Sequence, residues 1–235
     1  MAEQNEVLRR TPLSRERVLR AAVTLADEGG TDSLSMRNLA QDLGVVPMAL
    51  YKHVANKDEL VAGMIEVVIG EIDPPVADAD WKHAVRERIL SARRVLQRHP
   101  WVSLAIESRK TPTPAILAYL DSMVGTLRGG GFSVDLAHHV MHAMGSRTLG
   151  FSQELFDTAR NAGRTGATSP EPPAARPAQF ADRFPNLAEI AVVASHDGSS
   201  VVGRGCDDQF EFEFALDLLL DGIERLHQQR WTSSR

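Results

Sequence analysis

Between Ser14 and Lys57 the chain spells three short helical patterns in succession, each with its own start and stop signals. Ser14 supplies a capping hydroxyl for the first, and Leu13 before it is placed to pack on Val18, a hydrophobic staple. Val18, Ala22 and Leu25 recur at helical spacing and give that segment an apolar stripe, and Gly29-Gly30 ends it. Ser35 repeats the device, with Leu34 placed to meet Leu39. Gly44 stops the second segment, because glycine enters the left-handed conformation beyond a helix end at little cost. Pro47 suits the first turn of the third, where its missing N–H is not needed. Two helices joined by a tight turn at a glycine are the smallest unit that lays a helix in the DNA major groove. No other stretch of the chain constrains the fold so tightly.

The third segment is the one that would read. At about 100° per residue, an inward Leu50 turns Met48 and Lys52 almost directly away from the core. Ala49 and Tyr51 flank them on the outward side, and Pro47, His53 and Val54 lie nearer the core edge. An outward face of Met, Ala, Tyr and Lys is odd for a solvated surface. It suits a groove, where apolar groups touch thymine methyls and Lys meets guanine or phosphate. Arg37, in the first turn of the second segment, is within reach of a base edge or a phosphate.

The run Leu34-Ser35-Met36-Arg37-Asn38-Leu39-Ala40-Gln41-Asp42-Leu43-Gly44-Val45, then Leu50-Tyr51-Lys52-His53-Val54, then Asn56-Lys57-Asp58-Glu59-Leu60, resembles the DNA-binding domain of the tetracycline-repressor (TetR) family. The resemblance implies groove or backbone contacts by Arg37, Pro47, Met48, Ala49, Tyr51, Lys52 and His53. It also implies a phosphate contact by Lys57 at the start of a fourth helix. One departure is Val46-Pro47, where many members place a capping Ser or Thr.

The net charge of −5 over 235 residues counts mildly against nucleic acid, but the charge is uneven. Arg9, Arg10, Arg15, Arg17 and Arg20 crowd the N-terminus with only Glu16 among them, whereas Asp207, Asp208, Glu211, Glu213, Asp217 and Asp221 gather late. A basic arm beside a reading helix on an acidic body is what local phosphate binding needs. The most apolar stretch, Leu60 to Ile72, is broken by Glu66 and Glu71, so no membrane span is expected. The first residues have neither the charge nor the apolar block of a signal peptide. Cys206 is alone, so no internal disulfide is expected and the cytoplasm is the expected compartment.

Beyond residue 57 the periodicity stays helical. Asn56-x-x-Glu59 resembles a capping box opening a helix to about Ile72, ended by Asp73-Pro74-Pro75. Asp80 can cap a helix from Trp81 to about His99, with Val85, Ile89, Ala92 and Leu96 on one stripe. A short helix follows Pro100-Trp101, another runs from about Thr113 to Leu127, and a long one runs from Ser133 to Phe156 or slightly beyond. From about residue 160 to 185, Pro and Gly accumulate and mark a long, mobile loop, inert or gating. The last helix runs from about Asp207 to Gln229.

The helices from Ser133 and Asp207 each carry apolar residues on more than one face, which calls for one partner inside the subunit and one outside. On the last helix Phe214, Leu218 and Asp221-Gly222 mark one line, and Leu216, Leu219, Leu220, Ile223 and Leu226 another. Two such helices per subunit make a four-helix bundle across a two-fold axis. The TetR resemblance places the dimer interface on these helices, and Val140, Arg147, Leu216, Leu219, Leu220 and Ile223 are its expected members.

These features predict an all-α chain: a three-helix helix-turn-helix DNA-binding domain at 10–60, then a larger helical effector-binding and dimerisation domain at 61–235. The expected activity is that of a homodimeric regulator on a palindromic operator in double-stranded DNA, released by a small-molecule effector. An effector pocket is expected among Leu104, Glu107, Ile116, Leu120, Met123, His138, Met141, His142, Met144 and Gln153. The alternative is a helical metal-binding protein or enzyme using His138 and His142, whose i, i+4 spacing can hold a metal. No Glu follows in an H-E-x-x-H arrangement, no nucleophile-base motif stands out, and Gly129-Gly130-Gly131 lacks a P-loop lysine. No metal, cofactor or catalytic residue is therefore expected. Within the TetR family, tetracycline and its metal are held by a polar set that includes histidines late in the fourth helix and near the helix following Trp101. The corresponding stretches, Gly70–Asp73 and Ile106–Arg109, hold none.

Overall fold

The computed structural model describes residues 12–31, 33–150, 182–186, 189 and 208–233, with the backbone alone at 146–150 and 208. Among them the regular structure is helical throughout, without a strand. Contacts divide the chain into two compact units, Met1–Met141 and His142–Arg235. Of the loop expected at about 160–185, most lies outside the described residues, as does Gln153.

The first unit opens with α1 (Arg15–Gly29), α2 (Met36–Asp42) and α3 (Pro47–Leu50), followed by α4 (Lys57–Ile69). The capping expected from the sequence is present at three starts. Ser14 Oγ accepts the Arg17 N–H at 3.2 Å, Ser35 Oγ accepts that of Asn38 at 3.1 Å, and Asn56 Oδ1 accepts that of Glu59 at 2.8 Å. The Glu59 carboxylate reaches back to the Ala55 N–H at 2.7 Å, one residue earlier than a standard capping box. At the other end of α2, Gly44 has φ 66°, and the Val45 N–H closes onto the Ala40 carbonyl at 2.9 Å.

Two elements differ from the expectation. The third helix is four residues long and has no side-chain cap at Val46, because valine has no oxygen to offer. Beyond it the Leu50 carbonyl accepts the N–H groups of His53 and Val54, at 2.8 and 3.0 Å, so the chain stays right-handed as a turn. The fourth helix stops at Ile69, not Ile72. There the Glu71 and Ile72 N–H groups bond to Val68 and Ile69, tightening the chain into i, i+3 turns that fold Ile72 back onto the core.

Then come α5 (Trp81–Arg98), α6 (Trp101–Glu107), α7 (Pro114–Gly129) and α8 (Val134–Gly150). Asp80 caps α5 by accepting the Lys82 and His83 N–H groups at 2.9 and 3.1 Å. The bond from His83 leads in holding its carboxyl below the usual range. Because the folded pKa is depressed, this stabilisation is present above the ordinary carboxylate range and is lost on acidification through the folded value. Asp73 is held low in the same sense, first by the Ser91 hydroxyl on α5, which it accepts at 2.7 Å.

One apolar core joins the helix-turn-helix to the next three helices. Val18, Leu19, Ala22, Leu39, Leu50 and Val54 are buried in the same cluster as Leu60, Met64 and Ile65 of α4, Ala92 and Val95 of α5, and Trp101, Val102 and Ala105 of α6. The core thus runs across residue 60 without a break. Helices α1 and α4 meet closely at Gly63, where an added Cβ would lie 2.7 Å from a Leu19 methyl. In the second unit α9 (Asp208–Gln228) buries Leu216, Leu220 and Ile223 and leaves Phe210, Phe214 and Leu218 exposed.

Trp81 packs the start of α5 against the end of α7. Its ring meets Phe132 edge-on at 4.7 Å, and an added Cβ at Gly130 would lie 2.7 Å from its Cβ. That near-backbone atom has little freedom to move aside, so Gly130→Ala is expected to cost about 1–3 kcal/mol. Gly125 on the same helix has nothing within 4 Å of an added Cβ. There alanine removes only the entropic penalty of glycine and should stabilise by about 0.5–1 kcal/mol. Opposite shifts in thermal midpoint check the pair; no fall for Gly130→Ala would refute the packing argument.

Candidate nucleic-acid interface

The reading face is built from its underside. Leu50 and Val54, 0% and 1% exposed, seat the segment on the core, and Ala40, Leu39 and Val18 close around the same cluster. With those two turned in, Met48 is 73% exposed and Tyr51 47%, and Lys52 and Pro47 are exposed with them. Ala49 and His53 are half-buried at the flanks. The expected outward set therefore lies on one surface, except that Pro47 stands farther out than the core edge. Arg37 is exposed in the first turn of α2, and Lys57 is exposed as the first residue of α4.

The charge around this face is more balanced than the arginine run implies. Arg20 Nε donates to Glu16 at 3.0 Å, and Arg15 lies 3.9 Å from Glu59. Both pairs are solvent-exposed and weak, but each brings an acid next to a cation of the N-terminal basic run. Arg9 and Arg10 lie outside the described residues. The two acids beside Lys57 are also engaged: Glu59 in the cap, and Asp58 with Arg109 at 3.1 Å.

Behind the face lies a polar junction that nothing local in the sequence signals. Asp27, in the last turn of α1, accepts Trp101 Nε1–H at 2.7 Å, and His99 Nδ1 lies 2.9 Å from both of its carboxylate oxygens. The other nitrogen of His99 faces Glu71 at 3.2 Å, and Arg98 donates to the same Glu71 oxygen at 2.9 Å. Partial burial works to raise the Glu71 carboxyl, but the hydrogen bonds from Arg98 and His99 and their charge prevail and hold it below the usual range.

Comparison with known proteins agrees with this arrangement. Residues 18–64 match the bacterial regulatory proteins of the tetR family, and residues 74–227 match the tetracyclin repressor-like C-terminal domain. The chain belongs to the tetR family. The HTH-type transcriptional repressor DrrR1 of Streptomyces coeruleorubidus is 27% identical over 225 residues, 93% of this chain and 80% of that one. The class A tetracycline repressor from transposon 1721, in Escherichia coli, is 30% identical over 166 residues, 69% and 76% of the two chains. Among solved structures, Streptomyces coelicolor ActR in complex with (S)-DNPA is 25% identical with a TM-score of 0.61, covering 92% of this chain and all of that one. The regulator SCO7222 of the same organism is 25% identical with a TM-score of 0.68, covering 92% and 99%. The first family match holds the helix-turn-helix described above, so this tetR-family regulator carries its DNA-binding unit on α1 to α4.

The residues expected in an effector pocket fall into different environments. Leu104 and Leu120 are 53% and 39% exposed, and Glu107, His138 and His142 are exposed too. Met141 is half-buried, Ile116 packs on the core cluster, and Met123 and Met144 are buried. A cleft of about 480 Å³ lies elsewhere, between the start of α5 and the end of α7, lined by Val76, Trp81, Ala84, Thr126 and Gly130 among others. None of the expected pocket residues lines it. Tyr119 on α7 is pushed up to about 12 by burial, opposed by the Arg88 guanidinium 5.1 Å over its ring. Among the described residues no group of three or more His, Cys, Asp and Glu is placed to hold a metal ion.

The residues expected at a dimer interface on α9 are mostly buried within the single chain. Leu216, Leu220 and Ile223 are 2%, 1% and 4% exposed within a single chain, so they are committed to its own core and Leu219 is half-buried. The apolar line left open is the other one, Phe210, Phe214 and Leu218. Periodicity marks both lines and cannot rank them, because each repeats at helical spacing. On α8 Val140 is buried, and Arg147 lies where the backbone alone is described.

The exposed face generates a direct expectation. Lys52→Ala and Arg37→Ala should each weaken specific DNA binding by about 1–3 kcal/mol. Lys57→Ala should weaken all sequences alike and lower the salt slope by about one. Titration of a selected DNA fragment against an unrelated one checks both; full affinity in the Lys52 and Arg37 variants together would refute the face.

Proposed function

We propose that this chain is a homodimeric repressor that reads a palindromic operator with Arg37, Pro47, Met48, Ala49, Tyr51, Lys52 and His53, and grips phosphate with Lys57. In this reading residues 10–60 are the reading head and residues 61–235 bind the effector and the second subunit. The observation that carries it is the apolar-and-lysine surface held outward by the buried Leu50 and Val54. The name of DrrR1 as a repressor supports the sign of regulation. The protein acts in the cytoplasm without catalysing a reaction; among the described residues no helix is long and apolar enough to cross a membrane. Recovery of genomic fragments on the purified protein, followed by gel shift, tests the reading. Failure to retain any inverted repeat would overturn it.

The second subunit docks on α9 through Phe210, Phe214 and Leu218. These recur four residues apart on one face, the two phenylalanine rings stack at 6.3 Å, and Gly222 continues the line with open space around it. Phe214→Glu or Leu218→Glu places a charge at an apolar contact, so the dimer should dissociate while the monomer stays folded. Leu220→Glu, at a position 1% exposed, should instead unfold the chain. Light scattering with circular dichroism separates the cases: an intact dimer in both surface variants would sink this interface.

The effector is a mainly apolar small molecule bound in the C-terminal domain. Leu104 on α6 and Leu117 and Leu120 on α7 present apolar side chains to solvent, and the solved ActR complex holds a small molecule, (S)-DNPA. It releases the operator by preferring a state with a different separation of the two reading heads. Tetracycline is not that molecule. The stretches that hold drug and metal in the tetracycline-binding members lack histidine here. The charged groups there are engaged with neighbours instead, Glu71 with Arg98 and His99, and Arg109 with Asp58. A polar ligand would then lose partners, which discriminates strongly. In a thermal-shift titration tetracycline with Mg²⁺ should leave the melting temperature unchanged; a saturable rise accompanied by operator release would overturn the exclusion.

A further inference from the structure

Asp27 sits where helix electrostatics disfavour it. It occupies the last turn of α1, at the negative end of the helix dipole, and that turn holds no basic residue. A carboxylate there weakens the helix locally, so what holds it must come from elsewhere in the fold. Both of its partners come from the junction of α5 and α6. Trp101 donates its indole N–H at 2.7 Å, and the His99 ring lies 2.9 Å away. His99 and Trp101 are 8% and 6% exposed, whereas the Asp27 and Glu71 side chains are 27% and 33% exposed, so the junction is shielded on its ring side and open to water on its carboxylate side. The opposite nitrogen of His99 faces Glu71, just beyond α4, which Arg98 also engages. Four elements of the first unit therefore converge on one imidazole and one carboxylate: α1, the end of α4, the end of α5 and the start of α6.

A second tie joins the residues after α6 to the start of α4, through Arg109 and Asp58 at 3.1 Å. Asp58 is 83% exposed, and an ion pair so open to water constrains little. The junction at Asp27 is the stronger positional constraint, because it ties two buried rings to one carboxylate, and a buried ring N–H that loses its acceptor is left unsatisfied. Membership of one apolar core brings α1 and α6 together without fixing direction, whereas the indole N–H bond has one donor, one acceptor and a narrow angular range.

We propose that Asp27 is a positioning residue for operator reading: through Trp101 and His99 it fixes the orientation of the reading head on the α5–α6 junction. The inference rests on the operator-reading role proposed above. Asp27 touches no DNA; it sets the angle at which α1 to α3 leave the rest of the first unit. Loosening the junction leaves Leu50 and Val54 seated in the shared core and removes the directional tie of α1 to the α5–α6 junction. Binding that needs two correctly placed heads then suffers, while binding that any single head can make does not.

The test uses the full chain and the variants Asp27→Asn, Asp27→Ala and Trp101→Phe. Hydrogen exchange on the free proteins should show amides of the last turn of α1 and of α6 exchanging about tenfold faster, with α2 unchanged. Affinity for a genomic fragment retained by the wild type should fall by about fivefold or more, while affinity for unrelated DNA stays within about twofold. Asp27→Ala combined with Trp101→Phe should lose less than the sum of the single losses, since both break one contact. Should Asp27→Ala fail to fold, Trp101→Phe, which removes the indole donor and keeps an aromatic ring, decides the question. Wild-type operator affinity in the folded variants, or an equal loss on unrelated DNA, would overturn the proposal. If the wild type retains no fragment, operator reading has failed on its own account; unchanged exchange at α1 and α6 then overturns the junction independently.

Discussion

Burial of Leu50 is the contact on which the reading surface depends. A helix of four residues is far below the length that sustains itself in water, and α3 has no side-chain cap. Its geometry comes from one leucine, fully buried, inserted into a core that α1, α2, α4 and α6 build together. Once that side chain is fixed, the directions of Met48, Tyr51 and Lys52 follow from helical geometry alone. The same core reaches α5 and α6, so the reading face is mechanically continuous with helices beyond residue 60.

That continuity explains how an effector domain can act on a DNA-binding unit of the tetR type in this chain. Apolar packing gives adhesion between the layers, and polar contacts give direction. The close approach of α1 and α4 at Gly63 and the junction at Asp27 hold α1 against different neighbours, one by shape and one by charge.

What the amino-acid sequence discloses is mostly local. Ser14, Ser35, Asn56 and Asp80 announce helix starts because a cap acts within three residues of itself, and each of them caps in the structure. Gly44 announces the turn because its positive φ is a property of one residue. The outward face of α3 is legible for the same reason. The junction of Asp27 with His99 and Trp101 is not, since its members stand 72 and 74 positions apart and each is ordinary in its own segment. Nor is the choice between the two apolar lines of α9. Periodicity reports that a face is apolar, and only packing reports which face the chain covers for itself. Periodicity alone does not localise an effector pocket, because methionine and leucine at helical spacing describe core and cavity lining equally well.

The uncapped start of α3 also bears on how such a chain can change its target. The residues that hold the segment, Leu50 and Val54, are fully interior, whereas Met48 and Tyr51 are 73% and 47% exposed. Stability and recognition are thus written on opposite sides of the same few residues, with little overlap. On the face proposed to read DNA, substitution at Met48 or Lys52 is expected to change the sequence preferred with little effect on the folding equilibrium. Drift in operator preference therefore meets little resistance from the fold, and the reading surface is the part of this molecule most open to divergence.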